Sequence, residues 1–375
     1  MSEKDFIGFT LSKLQEVGPR PSASSKEWDF LRFIRERLES LGITTGWEAF
    51  PAPSSYTWGH LFLWLGMAQA GFLLWVVPLW SLIWSMVVLF LEYAELATFP
   101  LVSALFRFGE SANVVGENGE NPEVVIMAHV DSARCSLFFH PRFVTNPRLS
   151  LLLLVYSSVC ITGSSLLFVL FRWGILFWVG LFPSFYLAFL ALGHLHREFF
   201  MGFSPGGGND NGSGVVAALE IARVLRGKGV PFWVVFTGAE ESGTWGALHF
   251  LKRYGSLLSK KPILNLDNIG TGKLTVATKE GMWKVYRAAP HLVQEFKKLR
   301  DTGLHFRPYL GLFTDATPFL ARGFEALTII ALGENGLPVN WHWYTDTVGE
   351  VREENLRQVV AVVTEWVEKR RGLPA

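Results

Sequence analysis

The sequence predicts an α/β fold: a mixed, mostly parallel sheet sandwiched by helices, interrupted by two transmembrane helical hairpins. Three observations lead there. Short apolar strands alternate with amphipathic helices along most of the chain, the pattern of a sheet covered by helices. Two long stretches are nearly free of charge. Setting aside 57–107 and 137–203 leaves 257 of the 375 residues, the size of one α/β domain.

Composition agrees. Half of the residues are hydrophobic and 18% are charged, against about 25% charged in an ordinary soluble domain. Mean hydropathy is +0.27. The net charge of +1 provides no field that would draw in nucleic acid. Of the two cysteines, Cys135 lies in a polar stretch and Cys160 in an apolar run, which argues against a disulfide framework. The opening MSEKDFIGFTLSKLQEV is amphipathic and charged, without the apolar core of a signal peptide.

Residues 1–56 begin the domain. Within them, KEWDFLRFIRERLESLG (26–42) repeats apolar side chains at helical spacing and stops at Gly42. The first insertion, 57–107, contains Leu61–Leu91, 31 residues without a charge or a histidine. That is long for one upright span and short for two. Extended to Thr57–Ala97 it reaches 41 residues, with Pro78 in the middle. Two helices then fit, with Glu92 and Glu95 near the headgroups, where charge costs less than at the centre. One tilted helix followed by an interfacial one also fits. Residues 108–136 return to the domain through the strand Val124–Ala128. The second insertion, 137–203, holds Leu151–Phe171 and Trp173–Gly193, 21 residues each, split by Arg172 alone. Each half has the roughly 20 residues a span needs. Trp and Tyr are frequent in both insertions, as in interfacial belts. The remainder, 204–375, reads as a helix at Val215–Leu225, strands at Phe232–Thr237, Ile263–Leu266 and Leu327–Ala331, and a final helix at Glu353–Lys369.

Five short motifs carry candidate chemistry. In VVIMAHVDS, His129 and Asp131 close a strand and point to one face. A metal-bound imidazole usually gives its other N–H to a carboxylate, a part open to Asp131. GGGNDNGSGVVAALEIARVL turns tightly into a helix and sets Asp210 at its start, where it could bridge two cations. WVVFTGAEESG puts Glu240 beside Glu241 after a buried strand. Like charges there repel unless a cation separates them or one takes up a proton, so one can ligate while the other moves protons. Asp267 ends a strand in ILNLDNIGTG, and His342 precedes Asp346 by four residues in WHWYTDT. Taken singly, each motif also reads as a surface polar pair, a helix cap or a solvated acidic turn. His140, His194, His196, His249, His291 and His305 lack such neighbours and read as surface, interface or core residues. Together, two His, two Asp and a Glu, with another Glu and Asp beside them, make an O/N-rich set suited to borderline metals such as zinc. Two metals there could share a water and lower its pKa toward about 7.

In order, HVDS, NDNGSG, GAEESG, NLDNIG and HWYTDT resemble the M28 family of co-catalytic zinc peptidases. LQEVGPRPSASS is similar to that family's N-terminal signature, SANVVGENGENPEVVIMAHVDS to its strand pair leading to the first ligand, and FTDATPFLARGFEAL to its SDHxPFxxxGIPA segment. The likeness covers most of the residues outside the insertions. It implies a zinc-aminopeptidase-like fold and two Zn2+ per chain bridged by Asp210. One metal would take His129 and Asp267, the other Glu241 and His342. Glu240 would be the general base and Asp131 would orient His129. Two positions depart from the family pattern. Ala316 stands where the segment often has His, and Trp341 where the last ligand is commonly preceded by an oxyanion-holding Tyr. The implied function is an integral-membrane zinc peptidase, an aminopeptidase. The alternatives are a glutaminyl-cyclase-like aminoacyl transferase, which would use one zinc, and a non-catalytic membrane scaffold with a peptidase fold.

Both insertions lie inside the catalytic sequence, so each must return to the side it left. An even number of spans, two and two, satisfies this. His129 and Asp210 flank the second insertion, so the mouth of the site is expected close to the bilayer. The expected partners are a membrane-associated peptide or protein terminus and the lipid bilayer, with no nucleic acid. The turn near Pro78 has no Lys or Arg and the other has Arg172 alone. The positive-inside rule then directs the catalytic domain of this multi-pass protein to the cytoplasm.

Overall fold

The computed structural model describes residues 3–142, 144 and 146–372, and the side chains from residue 6 onward. The few other positions of the segments 1–56, 137–203 and 204–375 lie outside the described residues. Nine strands form one sheet: β1 (Thr44–Ala52), β2 (Gly109–Asn118), β3 (Val125–His129), β4 (Phe232–Thr237), β5 (Ile263–Asp267), β6 (Lys273–Glu280), β7 (Tyr286–Arg287), β8 (His305–Tyr309) and β9 (Ala326–Leu332). The helices are α1 (Glu3–Val17), α2 (Ser25–Ser40), α3 (Thr57–Phe72), α4 (Pro78–Leu96), α5 (Pro147–Phe171), α6 (Ile175–Phe200), α7 (Gly214–Gly227), α8 (Trp245–Leu258), α9 (Pro290–Lys297), α10 (Thr317–Ala321) and α11 (Glu353–Arg370).

The strand order is β1-β2-β4-β3-β5-β9-β6-β7, with β8 also on β6. The centre, β4-β3-β5-β9, is parallel, and antiparallel strands flank it on both sides. These central strands are buried at every residue, as parallel strands covered on both faces must be. The side chains of α1, α2, α7 and α11 form the main core on one face; α8 and α10 build a smaller one on the other. The α/β class and the predicted strands are therefore as the sequence indicated. One detail differs. The strands before His129 do not pair with each other, because both bond to β4, which lies between them. With six consecutive buried residues, β4 has no polar face and needs a neighbour on each side.

The stretch between the N-terminal signature and α2 is locally determined. Ser24 caps α2 by accepting from the Glu27 N–H, and Glu27 reaches back to the Ala23 N–H at 2.9 Å. This is a variant of the Ser-x-x-Glu capping box, with Glu27 bonding the N–H one residue before the Ser24 cap.

Each insertion forms a helical hairpin. Pro78 occupies the first turn of α4, where its missing N–H has no cost. Arg172 ends α5 in the left-handed conformation, φ 57°. Helix α3 packs on α4 and α6, and α5 on α4 and α6, closing a four-helix bundle. By length and composition α4, α5 and α6 could each cross a membrane. With 16 residues, α3 is shorter, about 24 Å at 1.5 Å per residue. Phe90, Tyr156, Leu170, Phe182 and Phe189 are each more than half exposed on the outside of the bundle. The inside uses small residues: Ser81 donates to the Ala70 carbonyl (2.6 Å) and meets Ser165 (2.9 Å), the close approach that small residues allow between apolar helices.

The bundle is tied to the sheet domain by polar contacts. Arg322, following α10, donates to the Thr98 hydroxyl (2.8 Å) and carbonyl (2.9 Å). Arg134 donates to the Met201 carbonyl (2.8 Å), and the Gly202 N–H to the Tyr344 hydroxyl (2.8 Å). Glu95, expected near the headgroups, is turned into the turn after α4, where it accepts from the N–H groups of Val102 (2.6 Å) and Ser103 (2.9 Å).

A Cβ on Gly71 would lie 1.8 Å from the Ser184 hydroxyl on α6. Gly71→Val is expected to push α3 off α6, costing about 1–3 kcal/mol as overpacking does. A thermal unfolding midpoint equal to wild type in detergent would contradict this packing.

Candidate metal centre

The C-terminal ends of β3, β4 and β5 converge, the usual place for sites in α/β sheets. His129 is the last residue of β3 and Asp267 the last of β5; Glu240 and Glu241 follow β4. Asp210 lies in the loop entering α7, and His342 in the loop after β9. The structure brings all of these together. His129 Nε2 is 3.2 Å from Asp210 Oδ1 and 3.6 Å from Asp267 Oδ1. His342 Nε2 is 3.2 Å from Asp210 Oδ2 and 3.2 Å from Glu241 Oε2. The two oxygens of Asp210 thus face two separate groups of donors. Atoms about 2.0–2.1 Å from a shared tetrahedral ion lie roughly 3.3 Å from one another. The spacing suits a metal ion at Asp210, and ligand atoms of His129, Asp210 and Glu241 all lie within 4.8 Å of one another. Glu241 Oε1 and His342 Nδ1 are buried without a hydrogen bond.

A clamp holds the turn that carries the two glutamates. The Asp131 carboxylate accepts from the N–H of Glu240 (3.0 Å), the N–H of Glu241 (3.0 Å) and the Ser22 hydroxyl (2.6 Å). His129 Nδ1 is nearer to the Asp131 carbonyl (3.2 Å) than to its carboxylate (3.6 Å). The Asp131 carboxylate thus stands beside the His129 imidazole and also clamps the β4 turn, which presents two N–H groups to the same oxygens. Glu27 supports that turn from behind, accepting from the Ala239 N–H (2.8 Å). Arg20 is fully buried and donates to carbonyls of Val130 (2.9 Å), Gly18 (2.8 Å) and Gly206 (2.7 Å). It joins the GPRPSASS segment to β3 and to the loop bearing Asp210. Asp346 accepts from the N–H groups of Asn209 (2.7 Å) and Asp210 (3.3 Å), fixing that loop. Ala239, Asn268 and His342 sit in the left-handed region, φ 52°, 52° and 50°. Such positions cost roughly 1–3 kcal/mol each and cluster where surroundings over-determine the backbone.

Seven carboxylates (Asp131, Asp210, Glu240, Glu241, Asp267, Asp315 and Asp346) share this region with two imidazoles and the Arg20 guanidinium. Burial, then the charges of Glu241, Asp315 and Asp267, raises the Glu240 carboxyl well above the usual range. Burial and Asp210 push Asp346 up to about 8, and burial lifts Asp315 to about 7. Asp210 is the exception. Burial works against its charge, but the His129 and His342 imidazoles hold it below the ordinary carboxylate range. For His342, burial opposes protonation while Glu241 and Asp210 raise it to about 9. Buried negative charge in this excess calls for added cations.

A cavity of about 300 Å³ runs from His129, Glu240 and Glu241 into the helical bundle. Phe139 covers His342 at a ring distance of 4.6 Å and meets Trp341 edge-on at 4.8 Å. Tyr309, absent from the sequence-derived set, is buried in the same wall. Its oxygen accepts from the Leu312 N–H (3.3 Å), which leaves the phenolic proton available to a ligand. Burial, then Asp267, raises its pKa well above 10. Its PYLGLF context held no sequence signal for this role. Asp315, whose Oδ2 bonds Thr237, was within reach through the FTDATPF segment.

Residues 189–367 match the family described as Peptidase family M28. Aminopeptidase YwaD of Bacillus subtilis (strain 168) is 32% identical over 192 residues, 45% of this chain and 39% of that protein. The chain thus spans about two fifths of the length of this curated relative. Among solved structures, a zinc aminopeptidase from Bacillus subtilis superposes with a TM-score of 0.58 at 17% identity, covering 98% of this chain and 95% of that one. A glutaminyl cyclase from Porphyromonas gingivalis superposes with a TM-score of 0.54 at 15% identity, covering 99% of each chain. The fold is that of the zinc aminopeptidases.

Asp210→Ala should abolish tight uptake of divalent metal, read by elemental analysis of the purified protein, whereas Asp315→Asn should retain it. Equal metal content in wild type and Asp210→Ala would rule out a centre built on this carboxylate.

Proposed function

We propose that this chain, whose residues 189–367 match peptidase family M28, is a membrane-embedded zinc-dependent aminopeptidase of that family. The observation that carries the reading is the two-sided arrangement of donors about Asp210. Two zinc ions per chain are assigned to it, one with His129 and Asp267, the other with Glu241 and His342. Bound there, zinc would lower the pKa of water and polarise a scissile carbonyl.

The protein's own groups do the rest. Glu240 takes a proton from the attacking water and delivers it to the departing amine. Asp131 is a positioning residue: through the Glu240 and Glu241 N–H groups it fixes where both carboxylates stand. The Tyr309 hydroxyl donates to the oxyanion that forms as water adds. Trp341 shapes the wall. Keeping both His129 and Asp267 beside Glu241 and His342 favours a peptidase over a one-zinc cyclase.

Membrane placement rests on the bundle. Three of its helices have spanning length and its outer surface is apolar. The cavity from the metal centre opens among those helices. The substrate is accordingly a membrane-associated peptide or protein terminus, and the scarcity of Lys and Arg in the far turns directs the catalytic domain to the cytoplasm.

Glu240→Gln should lower kcat by about 10²–10⁴-fold with metal content unchanged. Tyr309→Phe should lower kcat by about 10²–10³-fold, as loss of an oxyanion donor does. Retained hydrolysis in Glu240→Gln, or one zinc per fully loaded chain, would sink the two-metal peptidase reading. Faster cleavage of hydrophobic, bilayer-bound peptides than of short soluble ones is expected; equal rates would remove the membrane-substrate part.

A further inference from the structure

The cavity does not end at the metal centre. It continues between the helices, walled by Leu63, Trp64, Leu151, Leu154 and Leu190, and meets the catalytic domain at Met282. Met282 also packs against the apolar cluster of the bundle. In this apolar extension stands Glu92 of α4, 4% exposed. The Ser158 hydroxyl of α5 is the one polar side chain beside its carboxylate among the described residues, and that hydroxyl is shared with the Leu154 carbonyl at 3.3 Å. No basic side chain pairs with Glu92 among the described residues. His194, also in the wall and 8% exposed, leaves its Nδ1 unpartnered while its ring lies edge-on to Trp64 at 4.6 Å.

A buried, unpaired carboxylate is costly in apolar surroundings, and an ionisable residue within a membrane helix marks a functional site by default. The neighbouring acid shows the difference. Glu95 accepts three hydrogen bonds from Val102 and Ser103 and is fully used by the fold. Glu92 has only the Ser158 hydroxyl beside it and no backbone N–H among the described residues, and it sits in a cavity shared with the metal-site residues.

We propose that Glu92 is the floor of the subsite for the terminal side chain of the substrate and selects Lys or Arg there. The inference rests on the aminopeptidase reading. The apolar walls suit the alkyl stem of a long basic side chain, which buries its methylenes while its charged head seeks a polar partner. Glu92 accepts that head, by a point contact from an ammonium or a fork from a guanidinium. A Leu or Met in the same place would leave the carboxylate unpaired.

The test compares L-lysinamide with L-norleucinamide, which share a four-carbon stem and differ in the terminal ammonium. Binding is measured by calorimetry on the full-length, zinc-loaded chain in lipid nanodiscs, in a Glu240→Gln background so that neither is consumed. Lysinamide should bind at least ten-fold more tightly, and adding Glu92→Gln should bring the ratio near one. Norleucinamide binding as tightly as lysinamide, neither amide binding, or a preference that survives Glu92→Gln would each overturn the subsite. In the otherwise wild-type chain, lysyl and arginyl peptides should be cleaved faster than norleucyl ones. A lysinamide preference in a chain that hydrolyses no peptide would remove the peptidase reading and leave the cation subsite standing. Cleavage of norleucyl peptides as fast as lysyl peptides would do the reverse.

Discussion

Negative charge packed beyond what the local imidazoles and guanidinium can neutralise is the constraint around which this molecule is organised. Carboxylates buried so close together repel, and each must be held by something stronger than that repulsion. Backbone N–H groups do much of the holding. Asp131 is satisfied by the turn after β4, Asp346 by the loop before α7, and Glu27 by Ala239. The same bonds that make the charges tolerable fix the loops carrying them. Asp210, Glu241 and the two histidines then stand in one arrangement, with Phe139 packed over His342.

The helical bundle extends this site and does more than anchor it. Arg322, Arg134 and Tyr344 fasten the ends of the hairpins to the sheet domain. One cavity therefore has walls from both parts. A side chain entering the site meets buried carboxylates at one end and apolar helices at the other.

Much of this was legible in the residues. The central strands are short apolar runs, and nothing but a covered parallel sheet accommodates them, so β3, β4, β5 and β9 stood out. Of the candidate site residues, His129, Asp210 and Asp267 sit at strand ends or a helix start, where local pattern and spacing reveal them, whereas His342 lies in the loop after β9. Pairing was less visible. The interposition of β4 between β2 and β3 follows from tertiary burial, which a local pattern does not encode. Tyr309 lay in a segment with no periodicity of its own, and its role comes from what surrounds it. Glu92 looked like a charge tolerated near headgroups, because a sequence does not show which way a helix is rotated. The choice between one and two helices in the first insertion turned on Pro78, whose placement in the first turn of α4 separates the hairpin arms.

The position of the second hairpin also bears on how the protein is made. The ribosome releases His129, then α5 and α6, and only afterwards Asp210, Glu240, Glu241, Asp267 and His342. His129 cannot meet these later residues until the intervening helices have folded back on each other. Assembly of the site is thereby ordered behind folding of the second hairpin.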